Sequence, residues 1–119
     1  ANPVALGTDG IGADMLDEFR VAYVRHREDD VTASPETAWG WLTTGWDLFP
    51  EARNDRVTWD YPHMDPWRLA FTTGVGPRTV EVDGAVVLAD GRPTRVDADE
   101  VRARAAEQAV RLHRRLEEI

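Results

Sequence analysis

The reading of this chain turns on the stretch Asn2-Pro3-Val4-Ala5-Leu6-Gly7-Thr8-Asp9-Gly10. Val4, Ala5 and Leu6 make a short apolar run that predicts a buried strand over residues 4–7. Gly7 and Thr8 end the run and deliver a carboxylate, Asp9, with Gly10 and Gly12 just behind it. An acid at the C-terminal tip of a buried strand stands where barrel enzymes keep their chemistry. Taken alone, Asp-Gly is also a common turn pair, and Asp9 would then only cap the turn and the amides that follow. The continuation, Ile11-Gly12-Ala13-Asp14-Met15-Leu16-Asp17-Glu18-Phe19-Arg20, strengthens the first reading.

Working outward, Leu16, Phe19, Tyr23 and His26 recur at three- and four-residue spacing behind Asp14. That spacing predicts a helix over 14–28 with Asp14 as its cap, ended by Asp29-Asp30. Ser34-Pro35-Glu36 opens a second helix, with Pro at its first position. It is expected to run to about Leu48 with Trp39, Leu42, Trp46 and Phe49 along one side, although Gly40 and Gly45 each cost about 1 kcal/mol relative to Ala. Residues 56–61 alternate and are β-prone, so a strand is expected, followed by a loop over 62–66. Thr79-Val80-Glu81-Val82, Asp83-Gly84 and Ala85-Val86-Val87-Leu88 give the clearest hairpin signal, because Asp-Gly suits a two-residue type I′ turn. Asp90-Gly91 makes a second turn. Asp97-Ala98-Asp99-Glu100 is a capping box for a last helix with Val101, Ala105, Ala109, Leu112 and Leu116 on one stripe.

Length and charge narrow the classes. The chain has 119 residues, far fewer than the ~250 of a whole eight-stranded barrel. It opens without an initiator Met and directly on a predicted strand, so we expect an excised or processed piece. Cysteine is absent, which rules out disulfides and thiolate metal sites. The net charge is -8, and all 14 bases are arginine. That balance argues against phosphate-backbone binding, so no nucleic-acid partner is expected. No apolar run approaches the ~18 residues of a membrane span, and no signal segment opens the chain. No membrane partner and a cytoplasmic location are the expectations.

Leu6-Gly7-Thr8-Asp9-Gly10 followed by Asp14-Met15-Leu16-Asp17-Glu18 resembles the last barrel strand of a metal-dependent amidohydrolase, in the chlorohydrolase and cytosine-deaminase-like branch that includes the SsnA-type aminohydrolases. Two further stretches carry the resemblance. Residues 54–61 look like the family's Ala-Asp-Leu-Val-Val-x-Asp motif, with Asn54 for Ala and Arg56 for Leu, and residues 80–91 resemble its closing hairpin. The usual Gly-rich lead-in before Asn54 is absent. The resemblance implies an α/β fold: the last strand and helices of a (β/α)8 amidohydrolase barrel over 1–52, then part of the small flanking β-domain, with its hairpin and C-terminal helix, over 53–119.

In the resembled enzymes the residue equivalent to Asp9 binds the metal and takes a proton from its water, which a divalent ion makes acidic enough to lose one. Asp9 is thus the implied catalytic and metal-binding residue, and zinc or iron the implied metal. A catalytic zinc takes roughly three protein ligands plus water. The family draws its histidines from a His-x-His pair on the first strand and from strands five and six, none of which lies in this chain. His26, His63 and His113 are not spaced as paired ligands, so the isolated chain is expected to be inactive and metal-free.

The histidines have plainer readings. His26, between Arg25 and Arg27, reads as a partly solvated surface residue, and His113 suits a helix C-terminus. His63, in the aromatic loop Tyr61-Pro62-His63-Met64-Asp65-Pro66-Trp67, is the candidate substrate contact, since loops carry specificity. The tryptophans read as interlayer packing. Arg102 to Arg115, interleaved with acids, read as a solvated helix face, and Gly74-Val75-Gly76-Pro77 as a turn lacking the lysine of a phosphate loop.

The implied function is that of a C-terminal part of an amidohydrolase hydrolysing C–N or C–halogen bonds of a small heterocycle or amidine, most simply a deaminase. Its partners would be the N-terminal remainder of the barrel and a small-molecule substrate, within an oligomer. The alternative is a non-catalytic structural or interaction module, which the absent histidine ligands favour.

Overall fold

Residues 2–10 and 13–118 are described in a computed structural model of the chain. Helix α1 spans Met15–Asp29, as the apolar spacing predicts, and Asp14 caps it by accepting a 2.8 Å hydrogen bond from the Leu16 amide. α2 spans Pro35–Thr43, α3 Gly45–Leu48, and a 3-10 turn follows over Pro50–Asn54. The single helix expected to reach Leu48 is therefore broken at Thr44. The Thr43 and Thr44 hydroxyls both donate to the Gly40 carbonyl, competing with the backbone ladder there.

Strand β1 is Arg56–Trp59, shorter than expected by the two residues 60–61. Instead of loop alone, a further helix, α4, spans Pro66–Phe71, with Asp65 accepting from the Arg68 amide as its cap. Strands β2 (Pro77–Val82), β3 (Ala85–Ala89) and β4 (Arg92–Pro93) complete an antiparallel sheet in the order β1-β2-β3-β4. Its two hairpin turns are Asp83-Gly84, at φ +48° and +75°, and Asp90-Gly91, at φ +47° and +72°. Both residues of each turn take the left-handed conformation a type I′ turn requires. Helix α5 spans Ala98–Glu117; the Asp97 carboxylate accepts from the Asp99 and Glu100 amides. The reciprocal half of the capping box is replaced by an Arg104–Glu100 ion pair.

The expected strand over residues 4–7 does not form. These residues carry no ladder hydrogen bond to any described residue, and Val4 is exposed. A strand exists only where a neighbour satisfies its backbone amides and carbonyls, and no described segment lies alongside. Only Leu6 reaches the core. The observed architecture is thus mixed α and β, a small antiparallel meander beside a cluster of helices.

The core lies between α1, α2 and α4. Leu16, Phe19 and Tyr23 of α1, Ala38 of α2, Leu69 of α4 and Val75 are buried, with Trp39 packing edge-on to Phe19 at 5.4 Å. Residues on both sides of position 52 share this core, because α4 folds back onto α1 and α2. Arg20 locks it in place: its Nε donates to the Leu69 carbonyl at 3.0 Å and its Nη2 to the Thr72 carbonyl at 2.5 Å, closing the end of α4. The hairpin is pinned to β1 by the Asp83 amide donating to Asp55 at 2.9 Å. α5 has no extensive packing against any of these elements and buries no residue. The radius of gyration is 17.7 Å, against about 13.5 Å for a compact chain of this length, because α5 projects as an arm.

Candidate functional site

Asp9 and Gly10 sit in a tight turn at φ +48° and +72°, the same backbone signature as the two hairpin turns. Asp9 is exposed, three residues beyond Leu6, which anchors the segment in the core. Ile11 and Gly12, part of the stretch that strengthens the Asp9 reading, lie outside the described residues. The turn therefore presents a carboxylate to solvent just ahead of α1.

The other candidates stand apart from it. His26 is half-buried, its ring 5.0 Å from that of Trp41, and its Nδ1 has no hydrogen-bond partner among the described residues. His26 is thus partly solvated, as expected, with its ring packed against α2. His63 is exposed and edge-on to Tyr61 at 5.7 Å. His113 is exposed on α5. Among the described residues, no three His, Asp or Glu side chains converge in a way that would hold a metal ion. A zinc needs such a convergence, so the described residues by themselves do not fit one.

Carboxylates elsewhere are tuned by local hydrogen bonds. Asp30 is held below its ordinary value by the Thr32 hydroxyl, at 2.7 Å, and the Thr32 amide, at 2.9 Å. Glu36 is lowered first by the Ser34 hydroxyl, then by its own amide, with the Trp67 indole adding to the effect. Both arrangements stabilise helix ends and loops.

A concave, mainly apolar groove of about 690 Å³ opens among the described residues. One wall carries Trp39, Leu42, Trp46 and Phe49, the side of the predicted helix, preserved across the break at Thr44. The other carries Val57, Trp59 and Tyr61 from β1 and just beyond it, and Ala5, Leu6, Met15 and Met64 complete the lining. His63 is not part of this lining; its ring packs edge-on against Tyr61, which is. The spacing of Trp39, Leu42, Trp46 and Phe49 signalled one wall; its pairing with β1 is a tertiary fact that no local pattern encodes. A smaller hollow near the start of α5 is lined by Asp90, Asp97, Asp99 and Arg102 and is mostly polar.

No known protein-family model matches this chain, and no solved structure matches it. No helix among the described residues is long and apolar enough to cross a membrane.

Proposed function

We propose that this chain is the C-terminal part of a metal-dependent amidohydrolase that hydrolyses a C–N or C–halogen bond of a small heterocycle or amidine, most simply as a deaminase. The observation that carries the reading is the Leu6-Gly7-Thr8-Asp9-Gly10 stretch, in which a core-anchored apolar run ends in a turn that offers one carboxylate to solvent. Asp9 is the catalytic and metal-binding residue this chain contributes, and His63, packed against the groove-lining Tyr61, is its substrate contact.

The finer architecture belongs to the same proposal. Residues 4–7, whose backbone has no ladder partner among the described residues, pair with strands of the N-terminal remainder as the last strand of a (β/α)8 barrel. Residues 53–119 supply part of the flanking β-domain. The histidine ligands come from the remainder, and zinc or iron binds only in that assembly, in the cytoplasm. The residues of this chain alone do not fit a metal, so Asp9 has no metal chemistry until the remainder supplies the other ligands.

The test is metal analysis and turnover of the protein assembled with its N-terminal remainder. About one zinc or iron per assembly supports the reading. The Asp9→Asn variant is expected to lose turnover while keeping its far-ultraviolet circular dichroism. Unchanged turnover in Asp9→Asn sinks the assignment.

A second reading, a non-catalytic interaction module, is favoured by one observation: the chain carries two apolar surfaces, the groove and the α5 stripe, that no described residue covers.

A further inference from the structure

The chain holds three Asp-Gly pairs, Asp9-Gly10, Asp83-Gly84 and Asp90-Gly91. Such pairs are open to attack by the backbone on the side chain, because glycine has no Cβ to shield its own nitrogen from the preceding carboxyl. All three aspartates are exposed, and all three pairs take the same left-handed backbone, with φ of +47° or +48° followed by +72° or +75°. Neither exposure nor local conformation ranks them. Ring closure between the side chain and the next nitrogen needs a peptide orientation that this turn does not hold, so the turn must first open. The ranking is therefore set by how firmly each turn is held.

Asp90-Gly91 is held at both reacting groups. The Gly91 amide, whose nitrogen is the nucleophile, donates to the Arg78 carbonyl at 3.0 Å, and Arg78 Nε donates to Asp90 Oδ1 at 3.4 Å. Asp83-Gly84 is held at its flanks. Val82 and Ala85 are ladder partners on either side of it, and the Asp83 amide donates to Asp55 at 2.9 Å. Asp9-Gly10 has neither device. Neither residue makes a backbone hydrogen bond to another described residue, and residues 4–7 before them have no ladder partner there. The Asp9 carboxylate enters no ion pair among the described residues.

We propose that Asp9-Gly10 is a site of spontaneous aspartate isomerisation, reacting ahead of the two hairpin turns. The Gly10 nitrogen attacks the carboxyl carbon of Asp9 in its acid form. A C–N bond forms, the C–OH bond breaks, and the hydroxyl leaves with the amide proton as water, giving a five-membered succinimide. Water then reopens the ring. Addition at the side-chain carbonyl restores aspartate. Addition at the main-chain carbonyl breaks the original peptide C–N bond and leaves the chain running through the side-chain carbon, as isoaspartate. One water leaves and one returns, so the step needs no oxidant, cofactor or second protein. The product carries its carboxylate on Cα and has a backbone one carbon longer, so the turn that offers this carboxylate to solvent is lost. The proposal holds whether or not Asp9 meets a metal.

The test is to age the full 119-residue chain, folded and at neutral pH, and to map isoaspartate by proteolysis and electron-transfer fragmentation, which separates the two linkages at equal mass. Isoaspartate is expected to form on the order of ten-fold faster at Asp9 than at Asp90, the factor that an extra hydrogen bond or two adds to the cost of opening. Asp83 is expected between them. In the chemically unfolded chain the three rates are expected to converge. Asp55→Ala, which releases the Asp83 amide, is expected to speed Asp83 and leave the Asp9 rate as it was. Asp83 or Asp90 reacting as fast as Asp9 in the folded chain overturns the proposal. So does a lead of Asp9 that persists undiminished in the unfolded chain, because the lead then comes from neighbouring residues and not from the fold. A folded chain that forms no isoaspartate at Asp9 over a period in which the unfolded chain does also overturns it.

Discussion

Helices α1 and α5 were made by similar rules and have opposite fates. Each begins with an aspartate cap and acids in the first turn, and each carries basic residues in its last turn. α5 is the longer and separates its apolar side from its charged side more cleanly. Yet α1 buries Leu16, Phe19 and Tyr23 completely or nearly so, while α5 buries nothing. Amphipathicity states that a face needs covering; it does not state what covers it. In α1 the cover comes from α2 and α4, elements of the same chain that carry large side chains to matching heights.

The comparison breaks first at Phe19. Phe19→Ala removes a fully buried ring from between α1 and Trp39, and is expected to cost about 3–5 kcal/mol in chemical denaturation. Leu112→Ala on α5 is expected to shift the same transition very little. Equal effects would mean that α5 is packed after all.

Arg20 sharpens the contrast next. Arg20→Met keeps the aliphatic stem but removes two donors from the Leu69 and Thr72 carbonyls. The expected loss is about 1.5–3 kcal/mol, since a charged donor is worth more than a neutral one. An unchanged midpoint would show that water replaces the guanidinium without cost.

Asp97→Ala tests the other side. It removes the side-chain acceptor for the Asp99 and Glu100 amides, worth about 1 kcal/mol to a helix start. Because α5 draws no support from the core, that loss is expected as faster amide exchange along α5 with no change in the global transition. A lowered global midpoint would tie α5 to the core.

The smallest effect is on pH dependence. Asp30 and Glu36 are both lowered in the folded chain, by the Thr32 hydroxyl and the Ser34 hydroxyl respectively. A lowered folded value means the stabilisation is present above the unfolded carboxylate range, at about pH 4, and is lost as pH falls through the folded value. Asp30→Asn is expected to flatten the acid limb of the stability profile, because the small stabilisation it removes at neutral pH is already lost in the wild type once pH falls through the folded value. A loss larger in acid than at neutral pH would contradict the assignment.

Local chemistry announced some elements and not others. The Asp14 cap and the Leu16, Phe19, Tyr23 spacing foretold α1; Asp83-Gly84 foretold the hairpin, since few sequences tolerate two successive left-handed residues. α4 was carried by an Asp65-Pro66 start signal of the kind that opens α2, but only six residues follow, too few for a periodic pattern. The break at Thr44 depends on hydroxyls turning back on Gly40. For the candidate site, the Asp-Gly pair at 9–10 foretold the turn but not the company it keeps. Whether a carboxylate meets other ligands is a question of distance in space.

By itself the sequence determined the caps, the turns, the apolar faces, the acidic balance and the absence of thiol chemistry, because each follows from a few neighbouring residues. Only the tertiary structure decided which faces were covered. It placed α4 on α1 and α2, set Trp39, Trp46 and Trp59 around one groove, left residues 4–7 without a strand partner among the described residues and left α5 exposed along its length. The physical reason is that burial and ladder pairing are properties of two surfaces meeting, whereas a sequence pattern describes each surface alone.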